Sequence, residues 1–204
     1  MEIVLIDSPF ANLGNIARAL RKVGAKLNVT ADPAEVRAAP AIVLPGVGSF
    51  VAAMNWLRER QLDNALSDAV AAGAALLGIC VGHQLLFERS DEMGGALGLG
   101  LLRGSVERFG DCGLPVPQVG WNRVSMSGST ELFDGIPPAT EMYFVNSYRV
   151  AECESAVATA SYGGSFVAAA QQERVFGVQF HPEKSSSWGL RMLGNFVARS
   201  GSRR

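Results

Sequence analysis

The chain has 204 residues, 18 basic against 19 acidic side chains for a net charge of −1, and 48% hydrophobic residues. A chain of this length buries ~70% of its unfolded surface without a disulfide framework or metal. The balanced charge argues against a nucleic-acid surface, and no apolar run approaches the ~20 residues needed to span a bilayer.

The first ninety residues alternate between strand and helix signals. Glu2 to Asp7 is a short apolar run, and Ile16, Ala17, Leu20 and Val23 then recur at helical spacing before a capping Gly24. Lys26 to Val29 reads as a second strand, and Asp32-Pro33-Ala34-Glu35 carries the cap, first-turn proline and acidic residue of a helix start. A third strand, Ala41 to Leu44, runs into Pro45-Gly46-Val47-Gly48. Ser49 is placed to cap a helix bearing Phe50, Met54 and Leu57, and another helix runs from Leu62 to Ala72. Ala74 to Ile79 is a fourth strand ending at Cys80, and His83 to Arg89 reads as a helix. Strands alternating with helices imply a parallel sheet covered on both faces.

After Gly94 short strands follow one another: Leu101 to Val106, Asn122 to Met126, Glu141 to Val145, Ala156 to Ser161, Phe166 to Gln171 and Val175 to Phe180. Gly163-Gly164 and Glu173-Arg174 supply hairpin turns, and a helix with Trp188, Met192, Phe196 and Val197 closes the chain. The expectation is one α/β domain over 1–199, its central mostly parallel sheet flanked by helices, with a β-rich second half and a flexible tail at 200–204.

Three cysteines, Cys80, Cys112 and Cys153, at irregular spacing do not make a disulfide framework and point to a reducing, cytoplasmic setting. The acidic, short start of the chain is unlike a signal peptide. Only two histidines occur, His83 and His181, with no CxxC or HxxxH spacing, so no metal site is expected.

Gly78-Ile79-Cys80-Val81-Gly82 fits a nucleophile elbow, with an apolar strand before it and a helical pattern after it. Small neighbours are needed because a nucleophile at a sharp strand-to-helix turn sits in a strained backbone. The positive end of the following helix would lower the Cys80 pKa. The plain alternative is a buried structural cysteine beside a glycine-lined turn. Cys112 and Cys153, one in a loop and one between two glutamates, read as bystanders.

Val175 to Phe180 delivers His181-Pro182-Glu183 at a strand's carboxyl end, where sites of parallel α/β sheets gather. With Pro182 fixing an extended backbone, residues 181 and 183 are expected to point the same way. Glu183 then holds one ring nitrogen of His181 while the other faces Cys80. His83, one turn after Cys80, is the competing histidine, with packing as its blander role. The glycines of the Pro45–Gly48 segment free its backbone to present amides to an oxyanion, together with the Val81 amide.

Taken together, the elbow Gly78 to Leu86 and the segment Gly177 to Ser185 resemble the class I (triad) glutamine amidotransferases. The narrower resemblance is to the HisH glutaminase subunits of imidazole glycerol phosphate synthase. It is carried by Pro45-Gly46-Val47-Gly48 with Ser49-Phe50, Gly120-Trp121-Asn122, Phe144-Val145-Asn146-Ser147-Tyr148 and Ala11-Asn12-Leu13. The resemblance implies glutamine hydrolysis to glutamate and ammonia, with Cys80 as nucleophile, His181 as acid and base, and Glu183 as its orienter. It implies an oxyanion hole from the amides of Val47 and Val81, and a glutamine pocket formed by Gly46, Gln84, Glu92, Ser147 and Tyr148. No cofactor is implied. The implied partner is the cyclase subunit HisF, a (β/α)8 barrel that receives the ammonia in a heterodimer, faced by Trp121, Asn122 and Lys184.

Three departures stand out. Asn146 replaces the usual histidine, His83 replaces the methionine common in this group, and Ser8-Pro9-Phe10 replaces a glycine-containing loop start. They leave open a sugar-modifying paralogue or an anthranilate synthase type of glutaminase. From other classes, a non-catalytic scaffold and a thiol hydrolase acting on other acyl substrates are the rivals.

Overall fold

Apolar runs bounded by turn residues become the strands of one large sheet. The computed structural model describes residues 2–111, 113–128 and 130–200. Strands β1 (Glu2–Ile6), β2 (Lys26–Thr30), β3 (Ala41–Gly46) and β4 (Ala75–Cys80) are parallel. They are joined by α1 (Leu13–Lys22), α2 (Pro33–Ala38), and the pair α3 (Phe50–Glu59) and α4 (Leu62–Ala71). The expected local signals act where the sequence puts them. Asp32 Oδ1 accepts the Ala34 N–H at 2.7 Å, and Ser49 Oγ accepts the Ala52 N–H at 3.4 Å.

Beyond the short α5 (Val81–Leu85) come β5 (Arg89–Ser90), β6 (Ala96–Leu97), β7 (Ser105–Arg108), β8 (Gln118–Met126), β9 (Thr140–Asn146) and β10 (Tyr148–Val150). The chain then forms β11 (Ala156–Ser161), β12 (Ser165–Gln172), β13 (Val175–Val178) and α6 (Ser186–Ser200). The large sheet has nine strands in the order β2-β1-β3-β4-β13-β12-β11-β8-β9, and a second sheet runs β10-β7-β5-β6. Strand β13 returns parallel to β4, whereas β12, β11, β8 and β9 continue antiparallel. The sheet is therefore mixed rather than mostly parallel: its first half is parallel as expected, and the β-rich second half extends the same sheet with antiparallel strands.

Each strand that carries chemistry ends at the same edge. Gly46 of β3 pairs with Cys80 of β4, and Val178 of β13 pairs with Ile79. Residues 3–6, 41–44 and 74–77 are all buried, as near-continuous apolar strands of a doubly covered sheet must be. Helix α1 packs on α6, whereas α2, α3 and α5 gather around α4 and β3. Right-handed crossovers from β1 out to β2 and back to β3 put the two groups on opposite faces. Under the antiparallel half, Phe144 meets Phe166 and Phe180 edge to face, with centroids 5.7 and 5.8 Å apart.

Two expected elements differ, and one interaction explains both. The helix expected through Arg89 stops at Leu85, and the strand expected at Leu101 starts at Ser105. The amides of Gly98, Leu99, Gly100 and Leu102 bond the carbonyls of Glu88, Leu85, Phe87 and Leu86 at 2.8–3.2 Å. The loop thus takes up the carbonyls that end the helix, and the buried Leu102 packs there instead of pairing in a sheet. Strands β5, β6 and β10 are too short to leave a periodicity.

At the other end Ser200 stays within α6, its Oγ donating to Phe196 O at 2.6 Å, one residue past the expected boundary. Cys112 and residues 201–204 lie outside the described residues. Among the described residues no helix is long and apolar enough to cross a membrane.

Where α5 crosses β3, a Cβ on Gly82 would overlap the Leu44 carbonyl oxygen, a backbone atom that cannot yield. Gly82→Ala is expected to destabilise the fold by more than ~2 kcal/mol. Urea unfolding of the two chains measures the difference.

Candidate active site

Cys80 is the last residue of β4 and lies at φ 55, ψ −110, a conformation L residues rarely adopt. The turn is as crowded as the sequence implies. A Cβ on Gly78 would overlap the Gly82 carbonyl, and one on Gly46 would press on Val81 and the Gly82 nitrogen. The chain therefore reverses into α5 within one residue and leaves the Cys80 side chain at the sheet edge, 2% exposed. Strain of ~1–3 kcal/mol at such a residue persists only where its surroundings leave no alternative.

From β13 the chain continues through Gln179 and Phe180 to His181, whose N–H bonds Tyr143 O at 2.8 Å. Pro182 does not extend the backbone as expected. It opens a 3-10 turn, Pro182–Lys184, because proline's fixed φ also suits a first helical position. The turn still brings Glu183 Oε1 to 2.9 Å from His181 Nδ1, with both side chains nearly inaccessible at 4% and 2% exposure. Ser185 Oγ braces the same turn, donating to His181 O at 2.6 Å and accepting the Tyr143 N–H at 2.9 Å.

Burial works against a charged His181 ring. The neighbouring Cys80 sulfur, through charge and hydrogen bonding, and the Glu183 carboxylate outweigh it and raise His181 to about 10. Nδ1 bonded to Glu183 leaves Nε2 as the nitrogen available to sulfur or substrate. His83 is the opposite case. It is fully buried, edge-on to Phe87 at 5.1 Å, and packed so tightly under β13 that a Cβ on Gly177 would overlap its Nδ1. Neither ring nitrogen has a hydrogen-bond partner among the described residues, and burial pulls its pKa down to about 3. Packing is what the structure gives His83.

Cys80 and His181 border a cavity of about 320 Å³ that also takes in Val47, Val81, Gln84, Glu92, Ser147 and Tyr148. Glu92 Oε2 accepts the Phe50 N–H at 2.8 Å at the start of α3, leaving the other carboxylate oxygen uncommitted by that bond. Gln84 gives both Nε2 donors to protein, to Tyr148 O at 3.0 Å and Gln179 Oε1 at 2.9 Å. The Val47 amide does not point at an oxyanion position, because its N–H is donated to Phe10 O at 2.6 Å. Two larger recesses, of about 700 and 420 Å³, lie around Gly73 and Arg174 and a third, of about 530 Å³, lies between α1 and α6, and among the described residues no cysteine or histidine lines any of them. Among the described residues no group of three or more His, Cys, Asp or Glu is placed to hold a metal ion.

Trp121 is 52% exposed on β8 and meets Tyr143 edge to face at 5.9 Å, and Lys184 Nζ lies 5.6 Å from the same Tyr143 ring. Lys184 also lines the cavity, so this exposed patch, widened by Val119, adjoins the site. Asn122 does not join it. Strand alternation turns its side chain away from Trp121, and its Nδ2 donates to Ser161 O at 2.9 Å.

Sequence reasoning gave no role to Gln179, whose Nε2 lies 3.8 Å from Cys80 Sγ, or to the Phe10 carbonyl. Gln179 had a signal, since it is a polar residue inside the apolar strand VFGVQF, two positions before His181. A backbone carbonyl leaves none.

The glutamine amidotransferase class-I family model matches residues 4–199. The imidazole glycerol phosphate synthase subunit HisH of Herpetosiphon aurantiacus is 49% identical over 197 residues, which cover 96% of this chain and 93% of that protein. The subunit of the same name from Moorella thermoacetica is 45% identical over 196 residues, with 95% and 93% covered. Among solved structures, PurLQS from Thermotoga maritima superposes with a TM-score of 0.77 at 16% identity, over 97% of this chain and 98% of that one. A crystal structure of a glutamine amidotransferase gives 0.76 at 20% identity, over 98% and 99%. At these identities the structures speak for the fold alone.

The buried neutral His83 makes a specific acid limb. Its folded pKa lies below the unfolded value of 6.5, so the stability it contributes is present above pH 6.5 and is lost as pH falls toward 3. His83→Met is expected to flatten stability between pH 6.5 and 3, removing a loss on the order of 4 kcal/mol. Urea unfolding of both chains across that range measures it.

Proposed function

This chain belongs to the class-I glutamine amidotransferases and, within them, to the HisH group, and we propose that Cys80, His181 and Glu183 are the catalytic triad with which it hydrolyses glutamine. The protein is a glutaminase of histidine biosynthesis. The observation that supports the assignment of residues is the buried His181 ring, its Nδ1 2.9 Å from Glu183 Oε1, at the sheet edge where Cys80 ends β4.

In the proposed reaction the Cys80 sulfur attacks the carboxamide carbon of glutamine, forming a C–S bond as the C=O π pair moves to oxygen. When that pair returns, the C–N bond breaks and the nitrogen takes the His181 Nε2 proton, leaving as ammonia. Water then attacks the thioester and gives its proton to Nε2, the C–S bond breaks, and glutamate leaves with the sulfur restored as thiolate. Glu183 holds Nδ1–H throughout, so the ring keeps one orientation and its charge is compensated.

The Val81 amide, first in α5, is one oxyanion donor, and the Val47 amide is the second once it leaves Phe10 O. A resting site with one donor engaged elsewhere turns over slowly. For the amino-acid end of glutamine, the Glu92 carboxylate and Gln84 Oε1 suit an ammonium group, and the Ser147 and Tyr148 amides with Gly46 suit the carboxylate and backbone.

The partner in this reading is a cyclase subunit, the (β/α)8 barrel HisF, seated on the Trp121–Tyr143–Lys184 patch. An exposed tryptophan set edge to face on a tyrosine beside the cavity is the composition of an interface anchor. It lets ammonia pass from the site into the barrel without meeting bulk water, where protonation would remove its lone pair. A thiolate nucleophile suits the reducing cytoplasm.

Glutamate release from glutamine is expected to be weak for the chain alone and to rise at least tenfold with the cyclase barrel and its nucleotide ligand. Equal activity with and without the barrel would remove the partner from this reading. Cys80→Ala is expected to abolish release in the complex, and Glu183→Gln to lower kcat by ~10² or more. Trp121→Ala is expected to weaken association by about tenfold or more, read by titration calorimetry.

A further inference from the structure

The amides around Cys80 form a buried chain whose polarity is set from one end. Tyr148 O is a backbone carbonyl and only accepts, and Asn146 Nδ2 and Gln84 Nε2 each donate to it at 3.0 Å. That contact fixes the Gln84 carboxamide, whose second Nε2 hydrogen reaches Gln179 Oε1 at 2.9 Å. Gln179 must then turn its own Nε2 the other way, toward Cys80 Sγ at 3.8 Å. Flipping Gln84 would set its oxygen against the Tyr148 oxygen, and flipping Gln179 would set N–H against N–H. Gln84 is 3% and Gln179 0% exposed, so solvent does not compete for these bonds.

The sulfur has two kinds of neighbour. Its thiol form donates to Val145 O at 3.7 Å, whereas an N–H from Gln179 serves the anionic form. The segment after β13 supplies both Gln179 and His181, two residues apart on the same chain.

We propose that Gln179 is a positioning residue of the nucleophile, its Nε2–H holding the anionic Cys80 sulfur in place, with the direction of that donor dictated through Gln84 by the Tyr148 carbonyl. Tyr148 belongs to the segment assigned to the amino-acid end of glutamine. One line of hydrogen bonds therefore joins the far end of the substrate to the attacking atom. The inference rests on Cys80 being the nucleophile.

The substitution Gln179→Glu separates the two ends of this amide. It keeps an acceptor facing Gln84 and replaces the N–H facing sulfur with an oxygen. The reading is the rate of Cys80 alkylation by iodoacetamide from pH 6 to 10 in the full chain, followed on the Cys80 peptide by mass spectrometry. Gln179→Glu is expected to slow alkylation at pH 7 by about tenfold or more and to displace the profile to higher pH. Gln179→Met, which has no donor but adds no charge, is expected to shift it the same way by less. This variant decides the matter if the glutamate variant does not fold. Wild-type profiles in the folded variants would overturn the proposal while leaving the nucleophile intact. A wild-type Cys80 that reacts no faster than Cys153 would instead overturn the nucleophile assignment itself.

Discussion

Strand β4 must turn into α5 within the width of one residue, at a point where β3, β4 and α5 leave no room for side chains. Gly46, Gly78 and Gly82 meet there, and a Cβ on any of them would overlap backbone or the Val81 side chain. The strain falls on Cys80, the one non-glycine residue at the apex, at φ 55. Everything the site does follows from that placement. The sulfur sits at the carboxyl edge of the sheet, the first amides of α5 lie beside it, and the end of β13 brings His181 to the same edge.

Electrostatics then separates two buried histidines. His181 is held charged because an acidic partner stands on each side of its ring. His83, only three residues from Cys80, has no hydrogen-bond partner among the described residues and is held neutral by desolvation. The same residue type thus has its pKa raised in one place and lowered in the other, and the difference lies in the neighbours. The Phe10 carbonyl adds a second level of control. It takes up the N–H of Val47, the proposed second oxyanion donor, and so turns that amide away from the cavity.

The parallel half of the fold was legible because β1, β3 and β4 are apolar runs and α1, α2 and α3 start or stop at cap signals. Asp32, Ser49 and Gly24 all act where the sequence places them. The region from Leu86 to Ser105 was not legible, because there the apolar leucines serve a loop that ends a helix through backbone bonds. In the site, Cys80, His181 and Glu183 were readable from residue type and spacing, although the turn through Pro182 is helical rather than extended. Gln179 was visible as an anomaly without a role, and the separation of the Asn122 side chain from Trp121 follows from strand alternation, which its residue type does not show. What escaped was the work done by main-chain atoms, at Phe10 and Tyr148, which residue identity does not encode.

The charge on His181 is the most direct expression of this arrangement, and with two histidines in the chain it is simple to observe. Nitrogen NMR of ring-labelled protein at pH 8 is expected to show His181 as a cation, with Nδ1–H bonded to Glu183, and to show it losing that proton in Cys80→Ala. A neutral His181 at pH 8, unaltered by removal of the sulfur, would contradict the account.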